Sequence, residues 1–297
     1  MNDVVRQIND VFVDAGCQGW LEARPIGRVG RFVDIGGSDP VVAASVYKLI
    51  VLVALGRAFD SGLMLPHDPV RVVPADCTPG PAGLSLFSDP VTMSWLDLAR
   101  MMITLSDNAA ADVILGALGM ESIEAVISDL ELTCTRVVGG TAALQRQIIH
   151  DSGALTLSEA VGLLSSNDLI HESAAFDPAY TTATSAADIN VLLSGIWTDA
   201  VASPGSCLEM RTVLGQQIWP HRIRAGFPFA DVSVAGKTGT IGPIRNEAAV
   251  VAMPGEVPIA VSVFTRAARS DVFLPMVDAA IGRAAYLAVT EVRAWVN

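Results

Sequence analysis

Val41-Val42-Ala43-Ala44-Ser45-Val46-Tyr47-Lys48-Leu49-Ile50-Val51-Leu52-Val53-Ala54-Leu55 is the stretch from which the rest of the chain is best read. It is apolar on every side and too short to cross a bilayer, which predicts a buried helix over residues 45–59. Two of its residues do not belong in a passive core. Ser45 and Lys48 are three apart and share a helix face. A lysine buried there loses hydration, so its pKa is drawn down and its amine becomes able to take the Ser45 proton. The plainer alternative is a lysine that snorkels from a core helix to the surface.

Outward from this helix the pattern changes twice. Residues 3–14 place Val4, Ile8, Val11 and Phe12 on one helical face. Residues 19–25 and 31–35 then read as two strands joined by a turn at 27–30. After the central helix, residues 65–94 are rich in proline and glycine and read as a long surface connection. Helical periodicity follows over 94–105, 109–118, 123–130, 155–164, 186–196 and 207–214, with a weaker pattern between 136 and 180. Strands return at 232–235, 247–253 and 257–265, and residues 272–296 close the chain as a helix. The order predicts an α+β fold with one five-stranded antiparallel sheet built from both chain ends. Residues 1–44 and 216–297 form that lobe, and 45–215 form an all-helical lobe. The cleft between lobes is the expected binding site.

Composition removes several functional classes. The 297 residues are 51% hydrophobic and 17% charged, with 31 acids, 19 bases and a net charge of −12. No basic patch interleaved with aromatics is visible, so neither nucleic acid nor a membrane surface is an expected partner. The start, Met1-Asn2-Asp3-Val4-Val5-Arg6, has no following apolar run of secretory type, and the expectation is a cytoplasmic monomer acting on a small molecule. Cys17, Cys77, Cys134 and Cys207 are scattered and read as reduced thiols, and the four histidines lack ligand spacing. No metal and no cofactor are expected.

Two further motifs complete a set. Ser106-Asp107-Asn108 lies between two predicted helices; by itself it reads as a helix cap. Lys237-Thr238-Gly239 follows a predicted strand. Preceded by Gly236 it imitates the tail of a phosphate-binding loop, but Asp231 stands where that loop needs glycine. S-x-x-K, S-D-N and K-T-G in this order, the first two about sixty residues apart, are the signature of class A β-lactamases and penicillin-binding proteins. The chain resembles the class A β-lactamase family over nearly its whole length. Arg222-Ile223-Arg224-Ala225-Gly226-Phe227-Pro228 is similar to the segment preceding K-T-G in actinobacterial members. Thr135-Arg136 looks like the start of the family's Ω-loop and Thr181-Thr182-Ala183-Thr184 like its exit.

The resemblance implies a set of roles. Ser45 is the expected nucleophile and Lys48 its proton acceptor. Ser106 would pass the proton to the leaving group. Asn108 would hold the substrate amide, and Lys237 would sit near Ser106 and meet a substrate carboxylate. Thr238 or Thr240 would add a hydroxyl contact beside Gly239. The N–H groups of Ser45 and Thr240 would form the oxyanion hole, and Arg222 matches a carboxylate-binding arginine. The family's Ω-loop also carries a glutamate that activates the deacylating water. Here that slot falls on Thr141, and the places of the Arg–Asp pair at the loop neck hold Gly139 and Tyr180. The separation of S-D-N from K-T-G is about a quarter longer than usual, and the excess lies in an enlarged loop of about 137–180. Glu159, Asp168, Glu172 and Asp177 are the acids there that could replace the base. The resulting expectation is a serine acyl hydrolase or acyl transferase. A true β-lactamase and a non-catalytic, acylatable sensor remain the alternatives.

Overall fold

The computed structural model describes residues 3–165 and 173–296. Helix α1 (Asp3–Asp14) leads into β1 (Cys17–Pro25) and β2 (Val33–Ile35), which form the expected hairpin. A short strand β3 (Val41–Val42) and a 3-10 turn over Ala44–Tyr47 precede α2 (Lys48–Asp60). Next come β4 (Pro69–Val72), β5 (Val91–Ser94), α3 (Trp95–Thr104), α4 (Asn108–Leu118) and α5 (Met120–Asp129). The loop region contributes α6 (Thr141–Ser152), α7 (Leu157–Leu164) and β6 (Ala183–Thr184). The chain then runs through α8 (Ala186–Trp197), α9 (Pro204–Leu214), α10 (Ile223–Gly226), β7 (Ser233–Ile241), β8 (Ile244–Ala252), β9 (Ile259–Ala267) and α11 (Pro275–Val296).

The main sheet has the order β2-β1-β9-β8-β7 with antiparallel pairing, so the two chain ends meet at β1 and β9. Its two faces bury different cores. One face packs Leu21, Ala249, Val251 and Val263 against α1 and α11 through Ile8, Ile281, Ala285 and Val289. The other presents Ala235, Ala248, Val250 and Phe264 to the helical lobe, whose centre is the largely buried α2. Alternation along β7 therefore decides which residues look into the interlobe space. Lys237 and Gly239 share the face of Ala235, toward the helices; Thr238 and Thr240 take the other.

Three expectations need correction. Residues 65–94 are not simply a connection, because β4 and β5 pair across their ends. The weak pattern after Arg136 hides α6, whose polar Gln145, Arg146 and Gln147 blur its apolar face. The strand predicted to stop at Ala235 runs on to Ile241, so Lys237-Thr238-Gly239 lies within β7 and not after it. Among the described residues no helix is long and apolar enough to cross a membrane.

Candidate active site

The predicted helix over 45–59 starts as a 3-10 turn and becomes α-helical at Lys48. In a 3-10 turn residues three apart eclipse, which keeps Ser45 and Lys48 on one side. Ala44, just before the candidate nucleophile, has φ 44°, a left-handed conformation that costs an alanine about 1–2 kcal/mol. The turn is held against β7 by a close approach at Gly239. A Cβ there would lie 3.0 Å from the Ala43 carbonyl oxygen and 3.2 Å from the Ala44 Cβ. That is the local reason the third residue of K-T-G is glycine.

Lys48 is fully buried and does not snorkel. Its Nζ donates to the Ser106 carbonyl at 2.6 Å and to Asn108 Oδ1 at 3.1 Å, with Ser106 Oγ and the Asp107 carbonyl both at 3.4 Å. Among the described residues no hydrogen bond joins it to Ser45, so its contacts run to the S-D-N segment. Burial lowers its pKa to about 7, against the opposing pull of Asp107 and Asp112. A buried amine poised there can gain or lose a proton near neutrality.

The cap reading of the S-D-N segment holds at one of its residues. Asp107 is the cap: its carboxylate accepts Ala110 N at 3.2 Å and Leu84 N at 2.8 Å. Ser106, with φ 63°, turns the chain between α3 and α4 and faces Lys48. Asn108 anchors its Nδ2 on the Pro79 carbonyl at 3.1 Å.

Lys237 is also fully buried and donates to the Thr238 carbonyl at 2.9 Å. Its pKa lies well below the lysine range, first through burial and then through the nearby charge of Lys48. Strand β7 is the sheet edge. Ile241 and Ile244 flank a two-residue turn and so form a hydrogen-bonded pair, and bonding alternates back from there. Thr238 and Thr240 thus turn their N–H groups to the open edge. Gln217 Oε1 accepts the first, at 2.7 Å; the second belongs to a solvent-exposed residue beside Ser45 in the same cavity.

Arg222 is placed differently from an open cation. It is 2% exposed, and its guanidinium donates to Asp278, to the carbonyls of Gly239 and Asn246, and to Thr240 Oγ1 at 2.7 Å. Its reach into the site is through the Thr240 hydroxyl. Sequence reasoning passed over four residues nearby. Arg245, opposite Thr240 across the β7–β8 register, lines the cavity and has its pKa pushed down to about 10 by burial and by Arg222. Buried Glu247 accepts from Ile223 N and Gln217 Nε2, and burial lifts its pKa to about 7. Tyr47 and Asp112, described next, complete the four. Tyr47 lies inside the S-x-x-K motif and Asp112 one helical turn beyond Asn108, so spacing carried a signal for both.

The position expected for the family's Ω-loop glutamate holds Thr141, paired with Tyr47. Thr141 Oγ1 lies 3.2 Å from Tyr47 Oη, and burial raises the Tyr47 pKa, so the phenol stays protonated. Asp112 accepts Thr141 N at 2.7 Å and Ala142 N at 2.8 Å, fixing the start of α6. The loop neck is closed by a backbone bridge, Arg136 with Ala183, reinforced by Arg136 side-chain bonds to the Thr181 carbonyl. Glu159 accepts Leu155 N at the start of α7, where Thr156 caps Glu159 N, and Asp177 accepts Ala179 N. Both acids are engaged as local caps. Asp168 and Glu172 lie outside the described residues. Among the described residues no group of three or more His, Cys, Asp or Glu is placed to hold a metal ion.

Comparison with known proteins shows that the fold is shared. A regulatory protein of Streptomyces cacaoi, "Beta-lactamase regulatory protein BlaB", is 23% identical over 282 residues, covering 88% of each chain. A solved ancestral (GNCA) class A beta-lactamase superposes with a TM-score of 0.78 at 24% identity, covering 97% of this chain and 100% of that one. PBP-A superposes with a TM-score of 0.77 at 20% identity, covering 98% and 97%. A beta-lactamase from Sphaerobacter thermophilus gives 0.77 at 20% identity, covering 97% and 96%. The model of the beta-lactamase enzyme family matches residues 3–292, and the chain belongs to that family.

Proposed function

We propose that this protein forms an acyl-Ser45 intermediate from a small ester or amide, and that its acylation step outruns hydrolysis of the acyl-enzyme. The observation that carries the reading is the buried Lys48, with a pKa of about 7, bonded to Ser106 on the serine's own turn. Ser45 Oγ attacks the carbonyl carbon while its proton passes to the neutral Lys48 amine. The oxyanion is received by the N–H groups of Ser45 and Thr240. The carbonyl is restored as the bond to the leaving group breaks. Ser106 gives its hydroxyl proton to the departing oxygen or nitrogen and is reprotonated from Lys48.

The second half-reaction lacks its usual base, since Thr141 and Tyr47 are both neutral near pH 7 and neither accepts a proton there. An incoming amine or alcohol can instead return along the Lys48–Ser106 path, which favours acyl transfer over hydrolysis. The same neutral pair, together with the regulatory name of the Streptomyces cacaoi relative, supports a second reading as an acylatable sensor. A substrate carboxylate is expected at the Thr238–Thr240 rim, backed by Lys237, Arg222 and Arg245. Anionic and neutral analogues of one ester reacting at equal rates would remove that element.

Intact-mass spectrometry after exposure to a penicillin, an activated ester and a fluorophosphonate tests the proposal. A single adduct on Ser45 that persists is expected. No adduct from any of the three, or equal labelling of Ser45→Ala, would contradict it.

A further inference from the structure

The rewritten loop does more than remove a carboxylate. Helices α6 and α7 carry a small core of their own, with Ile148, Ala160, Leu164 and Phe176 buried together, separate from the two large cores. Between that core and the nucleophile lies a cavity of about 360 Å³. Its wall is mostly apolar, with Leu144 and Ile148 of α6, Leu157 and Val161 of α7, Phe176 and Ile241, and its polar part includes Ser45, Asn108, Gln145, Thr240, Arg245 and Asp271. Val161 remains 40% exposed. A well-formed apolar cavity that opens on a few convergent polar groups is the ordinary form of a small-molecule site.

The cavity's position assigns it to one half of the substrate. Ser106 and Lys237 are not among the described residues on its wall, whereas Asn108 and Thr240 are. A leaving group must lie within reach of the proton that Ser106 supplies. The apolar space therefore belongs to the group that stays on the serine.

We infer that the acyl group transferred to Ser45 is a medium-length aliphatic chain, housed between α6, α7 and the end of β7. This rests on the acyl-Ser45 reading above and names its substrate class. The ester bond forms between the acyl carbon and Ser45 Oγ, the bond to the alcohol breaks, and the serine proton ends on that alcohol. No oxidant or further reactant is required.

The test is the second-order rate of Ser45 acylation by p-nitrophenyl acetate, butyrate, hexanoate and octanoate, followed by intact mass and by nitrophenolate release. Burial of each methylene is expected to raise the rate about fourfold, so octanoate outpaces butyrate by about two orders of magnitude. Val161→Trp fills the cavity from a position exposed enough to tolerate the ring. It should lower the octanoate-to-acetate ratio at least about tenfold. Leu157→Ala provides a second variant and should shift the preference toward decanoate. A flat or falling series on a Ser45 that still acylates, or an unchanged ratio in both variants, overturns the cavity assignment and leaves the acyl-Ser45 reading standing. No acylation of Ser45 by any ester or by a fluorophosphonate overturns both.

Discussion

The two walls of the site are built on opposite principles. On the side of Lys48, Ser106 and Lys237, both lysines are buried and bound to polar groups, and among the described residues neither has a carboxylate in hydrogen-bond contact. On the side of α6 and α7, side chains are mostly apolar, and the expected slot for a base holds Thr141 against Tyr47. Burying a charged lysine costs free energy, which draws its pKa down and leaves the Lys48 amine able to exchange a proton near neutrality. The second wall encloses a mostly apolar cavity. On the proposed reading, a reaction needing only the first wall proceeds, and one needing a base on the second does not.

The comparison breaks most visibly at the serine. Ser45→Ala is expected to lower acylation by about 10⁵-fold or more while leaving the fold intact. A rate assay with a circular-dichroism melt checks both halves. Lys48→Ala should slow acylation by about 10²- to 10⁴-fold. Lys48→Arg should not rescue it, because a guanidinium keeps its proton. In the wild type, acylation should climb as pH rises through about 7, since only the neutral amine accepts a proton and burial puts its pKa there. A rate independent of pH between 5 and 9 would make Lys48 a purely electrostatic group.

Thr141→Glu sharpens the contrast from the other wall. Returning a carboxylate to the start of α6 should speed loss of the acyl group by about 10²- to 10³-fold, with acylation changed far less. Measured decay of the Ser45 adduct at an unaltered rate would show that the slot does not face the ester. The smallest effect is structural. Gly239→Ala brings a Cβ within 3.0 Å of the Ala43 carbonyl, and the clash with backbone should cost about 1–3 kcal/mol by denaturant unfolding. A stability equal to wild type would mean the turn before Ser45 yields freely.

Most of the first wall was legible in the sequence and much of the second was not, for physical reasons. Lys48 in an apolar run advertises itself, because the eight residues after it, Leu49 to Gly56, carry no charge. The motif order then fixes where Ser106 and Lys237 must come. The sheet was legible from the alternation and turns of its strands, although K-T-G was placed after β7 when it lies inside it. Helix α6 was hidden because its one buried aliphatic position, Ile148, is set among Gln145, Arg146 and Gln147. Arg222 was read as an open cation because no sequence pattern announces that Asp278 in α11 will neutralise it across 56 positions. Tyr47 was overlooked because an aromatic residue in a buried helix looks like packing. Its place inside S-x-x-K was the one sequence signal, and its hydroxyl contact with Thr141 gives that signal meaning.

The central claim is that acylation is intact and water-driven release is not. The most direct measurement is a pre-steady-state burst with a chromogenic cephalosporin or p-nitrophenyl ester, with and without an added amine. The account predicts one equivalent of chromophore per protein, then a stall that amine relieves, with the Ser45 adduct present by mass throughout the stall. Rapid, steady turnover in water alone, with no adduct accumulating, would contradict it.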